Sequence, residues 1–237
     1  MERTVLSEAF SQDNYNSLPC VEDADKGVTQ HGALAGFLDQ ASRTFHKHAM
    51  QDRFGVALLH KHFECANGEH MIQYNEIVDG ERALVMRPVR TVPAREDAVP
   101  IVWSLSAEQY RPLEYSTDSL ARELYGAGSV PQPFLDEFSD LLRFSPIGRH
   151  IGLAVVNREL YADASDSLTP VEFSRIDRSS VLFMRNRAEY KNHIIQTAWN
   201  FSTPDGGAGC EQTPGGACFI NASGYHIQDP PPHHKPI

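Results

Sequence analysis

His60-Lys61-His62 ends an apolar run that starts at Phe54, just ahead of Asn67-Gly68. Side chains alternate faces along a strand, so both imidazoles point the same way with backbones about 7 Å apart. From that spacing two rings converge on one ion, and a third ligand completes a catalytic site with an open position. Glu64, His31, His46, His48 and Glu114 are the residues able to supply it. Gln73 and Asn75 suit the outer role of orienting the rings. The same histidines also fit metal-free acid–base catalysis, because imidazole titrates near neutral pH. A plainer reading stands beside both. The chain has eleven histidines, so close pairs arise easily, and a strand's wet face is polar in any case. If the pair serves a site, replacing both is expected to abolish activity or metal content while costing under about half a kcal/mol of stability. The cupin pattern does not fit, since Glu64 comes too soon, Glu69 falls at the turn, and no second half follows.

A second cluster lies near the C-terminus, where Cys210, Cys218, His226, His233 and His234 offer thiolate and imidazole. That donor mixture suits zinc, and metal binding can order a segment that lacks its own core. Seven residues separate the cysteines, whereas structural knuckles use two to four. A flexible tail with idle thiols is the alternative. The divalent metal expected at either cluster is zinc first.

Other chemistries lack their residues. There is no His-Glu-x-x-His, Gly-x-Ser-x-Gly, EF-hand loop, dinucleotide fingerprint or P-loop. Cys65, three positions from His62 on a strand, points to the opposite face, which argues against a Cys-His dyad.

The elements that must hold these residues follow from periodicity. Leu34, Phe37, Leu38, Ala41, Phe45 and His48 recur at three and four, giving one long helix from an N-cap at Thr29 to about Gln51. Strands follow on both sides of Asn67-Gly68, a strong hairpin signal. A two-residue turn there sets His62 opposite Gln73 and His60 opposite Asn75, with Phe63 and Ile72 on the other face. Asp79-Gly80 marks a second turn before another strand. Two short helices are expected next, one opening at Thr117 and one after Pro133 with Phe134, Leu135, Phe138, Leu141 and Leu142 inward. Further strands follow as far as Phe201. The result is an α+β fold with a mainly antiparallel sheet, a long N-terminal helix and two or three further helices. Residues 1–27 read as an irregular lead-in, 28–202 as one domain, and 203–237 as an extended Gly/Pro/Cys/His-rich tail. Deleting that tail is expected to leave the core folded.

The balance of 31 acidic against 21 basic residues, net −10, disfavours phosphate backbones and anionic lipid as partners. At 41% hydrophobic and 22% charged, the 237 residues have the composition of a globular chain with a sizeable core. No apolar signal segment opens the sequence and no apolar run is long enough to span a membrane. Four scattered cysteines do not form a disulfide scaffold, so the expected setting is cytoplasmic with reduced thiols.

At "FGVALLHKHF", "QPFLDEFSDLL", "IGLAVV" and "TAWNF", with the Cys and His residues that follow, the chain resembles uncharacterised small proteins of filamentous fungi. The resemblance spans most of residues 30–234 and implies an intracellular protein, an accessory of specialised metabolism. It brings no catalytic residue with it. The expected function is a small-molecule enzyme using His60 and His62 as ligands or acid–base groups, with Glu64 among the ligands. The alternative is a non-catalytic ligand-binding or interaction protein whose tail is flexible or ordered by zinc through Cys210, Cys218 and His226.

Overall fold

Asp79 and Gly80 both have positive φ, 54° and 85°, and join Val78 directly to Glu81. Such a turn matches the twist of the strands it connects, and it builds the longest hairpin of a computed structural model that describes residues 5–6, 10–90, 98–155, 168–190, 194–201 and 213–219. The strands are β1 (Val5–Leu6), β2 (Phe54–Leu58), β3 (Glu69–Val78), β4 (Glu81–Arg90), β5 (Val99–Ser106) and β6 (Gln109–Ser116). They continue with β7 (Ile151–Val155), β8 (Leu168–Ser174), β9 (Ser180–Asn186), β10 (Ile194–Asn200) and β11 (Thr213–Phe219). The helices are α1 (Gln12–Asn16), α2 (Val21–Thr29), α3 (Leu34–Lys47), α4 (Ser119–Gly126), α5 (Gln132–Phe144) and α6 (Arg187–Tyr190). This is an α+β fold with a mainly antiparallel sheet.

The sheet order is β1-β6-β3-β4-β9-β8-β11-β10-β2-β7-β5, and β5 pairs again with β6. The sheet therefore curls until it closes, with β1 attached to β6 outside the ring. Among the described strands, only the pairs β1–β6, β3–β6 and β8–β11 are parallel. The middle of β4 and the first half of β9 are buried on both faces. In β4 and β9, Leu84 and Leu182 pack on one side while Val85 and Val181 join Phe173 and Phe183 on the other. The largest core lies between one flank of the ring and the helices, where Phe45 of α3 meets Phe134 and Phe138 of α5 edge-on at 5.0 and 5.2 Å.

Four expectations change. The long helix from an N-cap at Thr29 to about Gln51 is shorter: Thr29 closes α2 instead of capping it, Gly32 at φ 58° interrupts the chain, and α3 runs from Leu34 to Lys47, ahead of Ala49 at φ 53°. The lead-in is not irregular throughout, because α1 and α2 bury Tyr15, Val21, Ala24 and Val28. Part of the tail belongs to the sheet, since β11 lies between β8 and β10. Finally, Asn67-Gly68 does turn, with Glu69 N–H donating to the Ala66 carbonyl at 2.9 Å, but it joins no hairpin. β2 pairs with β7 and β10, and β3 with β4 and β6, so His62 is not opposite Gln73. Among the described residues no helix is long and apolar enough to cross a membrane.

Candidate metal centre

The histidines sit beyond the end of β2, on a segment whose backbone leaves the β2–β7 pairing after Leu59. Leu59 N–H donates to the His150 carbonyl at 2.7 Å and Lys61 N–H to the Pro19 carbonyl at 2.9 Å. His62 N–H donates to the Tyr15 hydroxyl oxygen at 3.1 Å, and Cys65 N–H to Asn16 Oδ1 at 2.9 Å. The bonds to Pro19, Tyr15 and Asn16 draw the chain off the sheet and leave both imidazoles facing inward. The ring centroids are 4.7 Å apart at 61°.

Two carboxylates meet them from opposite walls. Glu172 of β8 lies 2.6 Å from His62 Nδ1, and Glu114 of β6 lies 3.1 Å from His62 Nε2. All three side chains are buried, 5% exposed for His62, 6% for Glu172 and 11% for Glu114. Burial alone would discharge the His62 ring, but the field of Glu172 and the hydrogen bonds to both carboxylates outweigh it and raise its pKa well above the usual value. His60 responds the other way. Burial, helped by the neighbouring His62, pushes its pKa down to about 4, so its ring is neutral at pH 7. Its Nδ1–H donates to the Leu58 carbonyl at 2.9 Å, which fixes the tautomer and puts the lone pair on Nε2.

The four side chains line a cavity of about 50 Å³ inside the ring. That is room for a few water molecules at about 10–15 Å³ each. Leu58, Met86, Val102, Leu113, Leu182 and Ala198 give it an apolar wall, and Gln73 and Thr197 add polarity. No lysine or arginine is among the described residues that line it.

One ligand atom each from His60, His62 and Glu172 lie within 4.8 Å of one another, so the group can hold a metal ion. Around a tetrahedral ion with bonds of about 2.1 Å, ligand atoms stand about 3.4 Å apart. His62 Nδ1 and Glu172 Oε1, at 2.6 Å, stand closer than that, so a bound ion requires their hydrogen bond to open by side-chain adjustment. The charges also fit. Counting each carboxylate as −1 and the His62 ring as +1, the buried group has a formal charge of −1. A divalent ion on two neutral imidazoles and two carboxylates brings it to zero.

The structure thus brings together His60, His62 and, among the third-ligand candidates, Glu114. Glu64 is not part of the group: its side chain is 65% exposed and paired with Lys61, because the segment leaves the strand geometry that would have aimed it inward. His46 Nδ1–H donates to the Ser42 carbonyl at 2.9 Å, His48 bonds Glu137 at 2.9 Å, and His31 bonds Gln30. Gln73 reaches the cavity, whereas Asn75 bonds Asp118 at 2.8 Å. Burial pushes the Cys65 thiol up to about 12, so it is no nucleophile. Cys210 and His226 lie outside the described residues, and of Cys218 only the backbone, in β11, is described. Sequence reasoning does not find Glu172. Its one signal there is a carboxylate between the apolar Val171 and Phe173 of a strand.

Comparison of the chain with protein-family models, with curated proteins and with solved structures gives no match.

Proposed function

We propose that the chain is an enzyme acting on a small molecule through a divalent metal held by His60, His62 and Glu172. The supporting observation is that each imidazole has a partner on its outer side. The Leu58 carbonyl holds His60 Nδ1, and Glu114 holds His62 Nε2. The ligating atoms are then His60 Nε2 and His62 Nδ1. A carboxylate on the far nitrogen of a ligating histidine fixes its ring and raises its basicity.

Two imidazoles and a carboxylate form a donor set used by catalytic zinc, and zinc is the ion we propose first. When bound it would polarise a substrate oxygen or acidify a water. The chain's own groups exclude bulk water through the apolar wall and keep a carboxylate, Glu114, at hydrogen-bond distance from a ligand ring. The narrow cavity favours a small substrate. The same reading places the enzyme in specialised metabolism, within the cytoplasm.

Metal analysis of the purified protein tests the proposal. About one equivalent of a divalent ion is expected, lost in His60→Ala, His62→Ala and Glu172→Gln. A metal-free protein that takes up none on titration would overturn it. The second reading, a non-catalytic ligand-binding protein, is favoured by the hydrogen bonds that already occupy both nitrogens of His62. It predicts an intact cavity with no metal requirement for ligand binding.

A further inference from the structure

The segment that carries the histidines takes most of its hydrogen bonds from the chain's N-terminal part. Tyr15 and Pro19 accept from the backbone of His62 and Lys61. Asn16 holds Cys65 from both sides, its Oδ1 accepting from Cys65 N–H and its Nδ2 donating to the Cys65 carbonyl, each at 2.9 Å. Gln12 Nε2 donates to the same carbonyl at 2.8 Å, and Lys61 Nζ donates to the Asn16 carbonyl at 3.0 Å. The helix is tied to the ring in turn, as Asn14 Nδ2 donates to Ser104 Oγ of β5 at 2.9 Å.

From this network we infer that α1 is a clamp on the metal centre and that Tyr15 is a positioning residue for His62. This inference rests on the metal-site reading for its first measurement, though not for its second. The physical case is one of satisfaction. A backbone N–H placed inside a protein needs an acceptor, and a strand partner would have given one at the cost of strand geometry. With acceptors from α1 for His62 and Cys65, and from Pro19 for Lys61, residues 61–65 can leave the sheet while His62 stays between β6 and β8. Tyr15 suits the task because its ring is fully buried and its hydroxyl is the group that meets His62 N–H. The hydroxyl oxygen accepts from His62 N–H through a lone pair.

Tyr15→Phe in the full chain removes that acceptor and keeps the ring. Tyr110→Phe is the matched control: it also deletes a buried hydroxyl, one bonded to Ser139 rather than to the histidine segment. Cobalt(II) titration followed by its visible absorption is the first measurement. We expect Tyr15→Phe to weaken binding about tenfold or more, the range typical of outer-shell changes at metal sites, and to alter the absorption band. Tyr110→Phe should do neither. Wild-type affinity and spectrum in Tyr15→Phe, or equal losses in both variants, would overturn the inference and leave the metal reading intact. If Tyr15→Phe does not fold, Asn16→Ala, on a half-buried residue, takes its place with the same criteria. If the wild-type protein binds no cobalt, the metal reading fails and the clamp is judged by nitrogen NMR of the His62 ring. A His62 signal shifted or broadened in Tyr15→Phe alone supports the clamp, and an unchanged one overturns it.

Discussion

His62 and Glu172 stand 110 residues apart in the chain, yet Nδ1 of one lies 2.6 Å from Oε1 of the other inside the closed sheet. The contact joins the segment after β2 to the middle of β8, so anything that disturbs either reaches the same buried point. It also changes what replacing the histidine should do. On a wet strand the substitution would be nearly silent. Here His62→Gln leaves two buried carboxylates without their cationic partner. Breaking a buried ionic contact from one side costs about 3–5 kcal/mol. The expected result is a large drop in the denaturation midpoint of the metal-free protein at neutral pH, measured in urea. A change below about half a kcal/mol, the size usual for surface sites, would mean the triad is not formed.

Glu64→Gln is the opposite case. The carboxylate is exposed and its partner is Lys61, an arrangement worth little in water. Metal content should stay at the wild-type level, while Glu172→Gln should lose it. Equal losses in the two variants would place the third ligand at Glu64 after all.

Acidification should separate the two histidines. His60 has a folded pKa of about 4 against an ordinary value of 6.5, so the unfolded chain takes up its proton first. Each tenfold difference in proton affinity between the folded and unfolded chain is worth about 1.4 kcal/mol. As pH falls from 7 to 4, this group therefore removes up to about 3 kcal/mol of stability. His62 has the opposite sign: its raised pKa adds stability that is complete below the unfolded value and is lost as pH rises through the folded one. In metal-free protein, the stability advantage of wild type over His60→Gln should therefore shrink on going to pH 4. The advantage over His62→Gln should shrink on the alkaline side. Denaturation curves across the range would show both trends, and parallel curves would contradict them.

Local signals in the sequence are reliable where local chemistry decides the structure. Asp79-Gly80 makes its turn because both positions need positive φ, and Pro133 opens α5, with Phe134, Leu135, Phe138 and Leu142 buried as the spacing requires. Asn67-Gly68 carries an equally strong local signal and does turn, but pairing of its flanks is settled by distant strands, β7 and β10 against β2. The site divides in the same way. His60 and His62 announce themselves through their spacing, whereas Glu172 comes from β8, and nothing near it in sequence tells which strand it faces. The histidines share one direction for a reason other than the expected one: hydrogen bonds from Tyr15, Asn16 and Pro19 aim them, not the alternation of a strand.

The C-terminal part gives the last prediction, which reverses the expectation drawn from composition. Residues 203–237 look dispensable by their Gly and Pro content, but β11 occupies an interior place in the sheet order, between β8 and β10. Its backbone pairs antiparallel with β10 from Ile194↔Phe219 to Asn200↔Thr213, and parallel with β8 at Val171 and Glu172. Removing it leaves two strand edges with unpaired N–H and C=O groups, a template for association with other chains. One of those edges is the strand that holds Glu172. A chain ending at Phe201 should therefore lose its cooperative melt, aggregate and fail to bind metal. A chain ending at Phe219 keeps β11 and is the comparison, expected to retain all three properties. Thermal denaturation, light scattering and metal titration of the two truncations decide the matter. If the shorter chain melts cooperatively and binds metal as the longer one does, β11 has no part in closing the sheet.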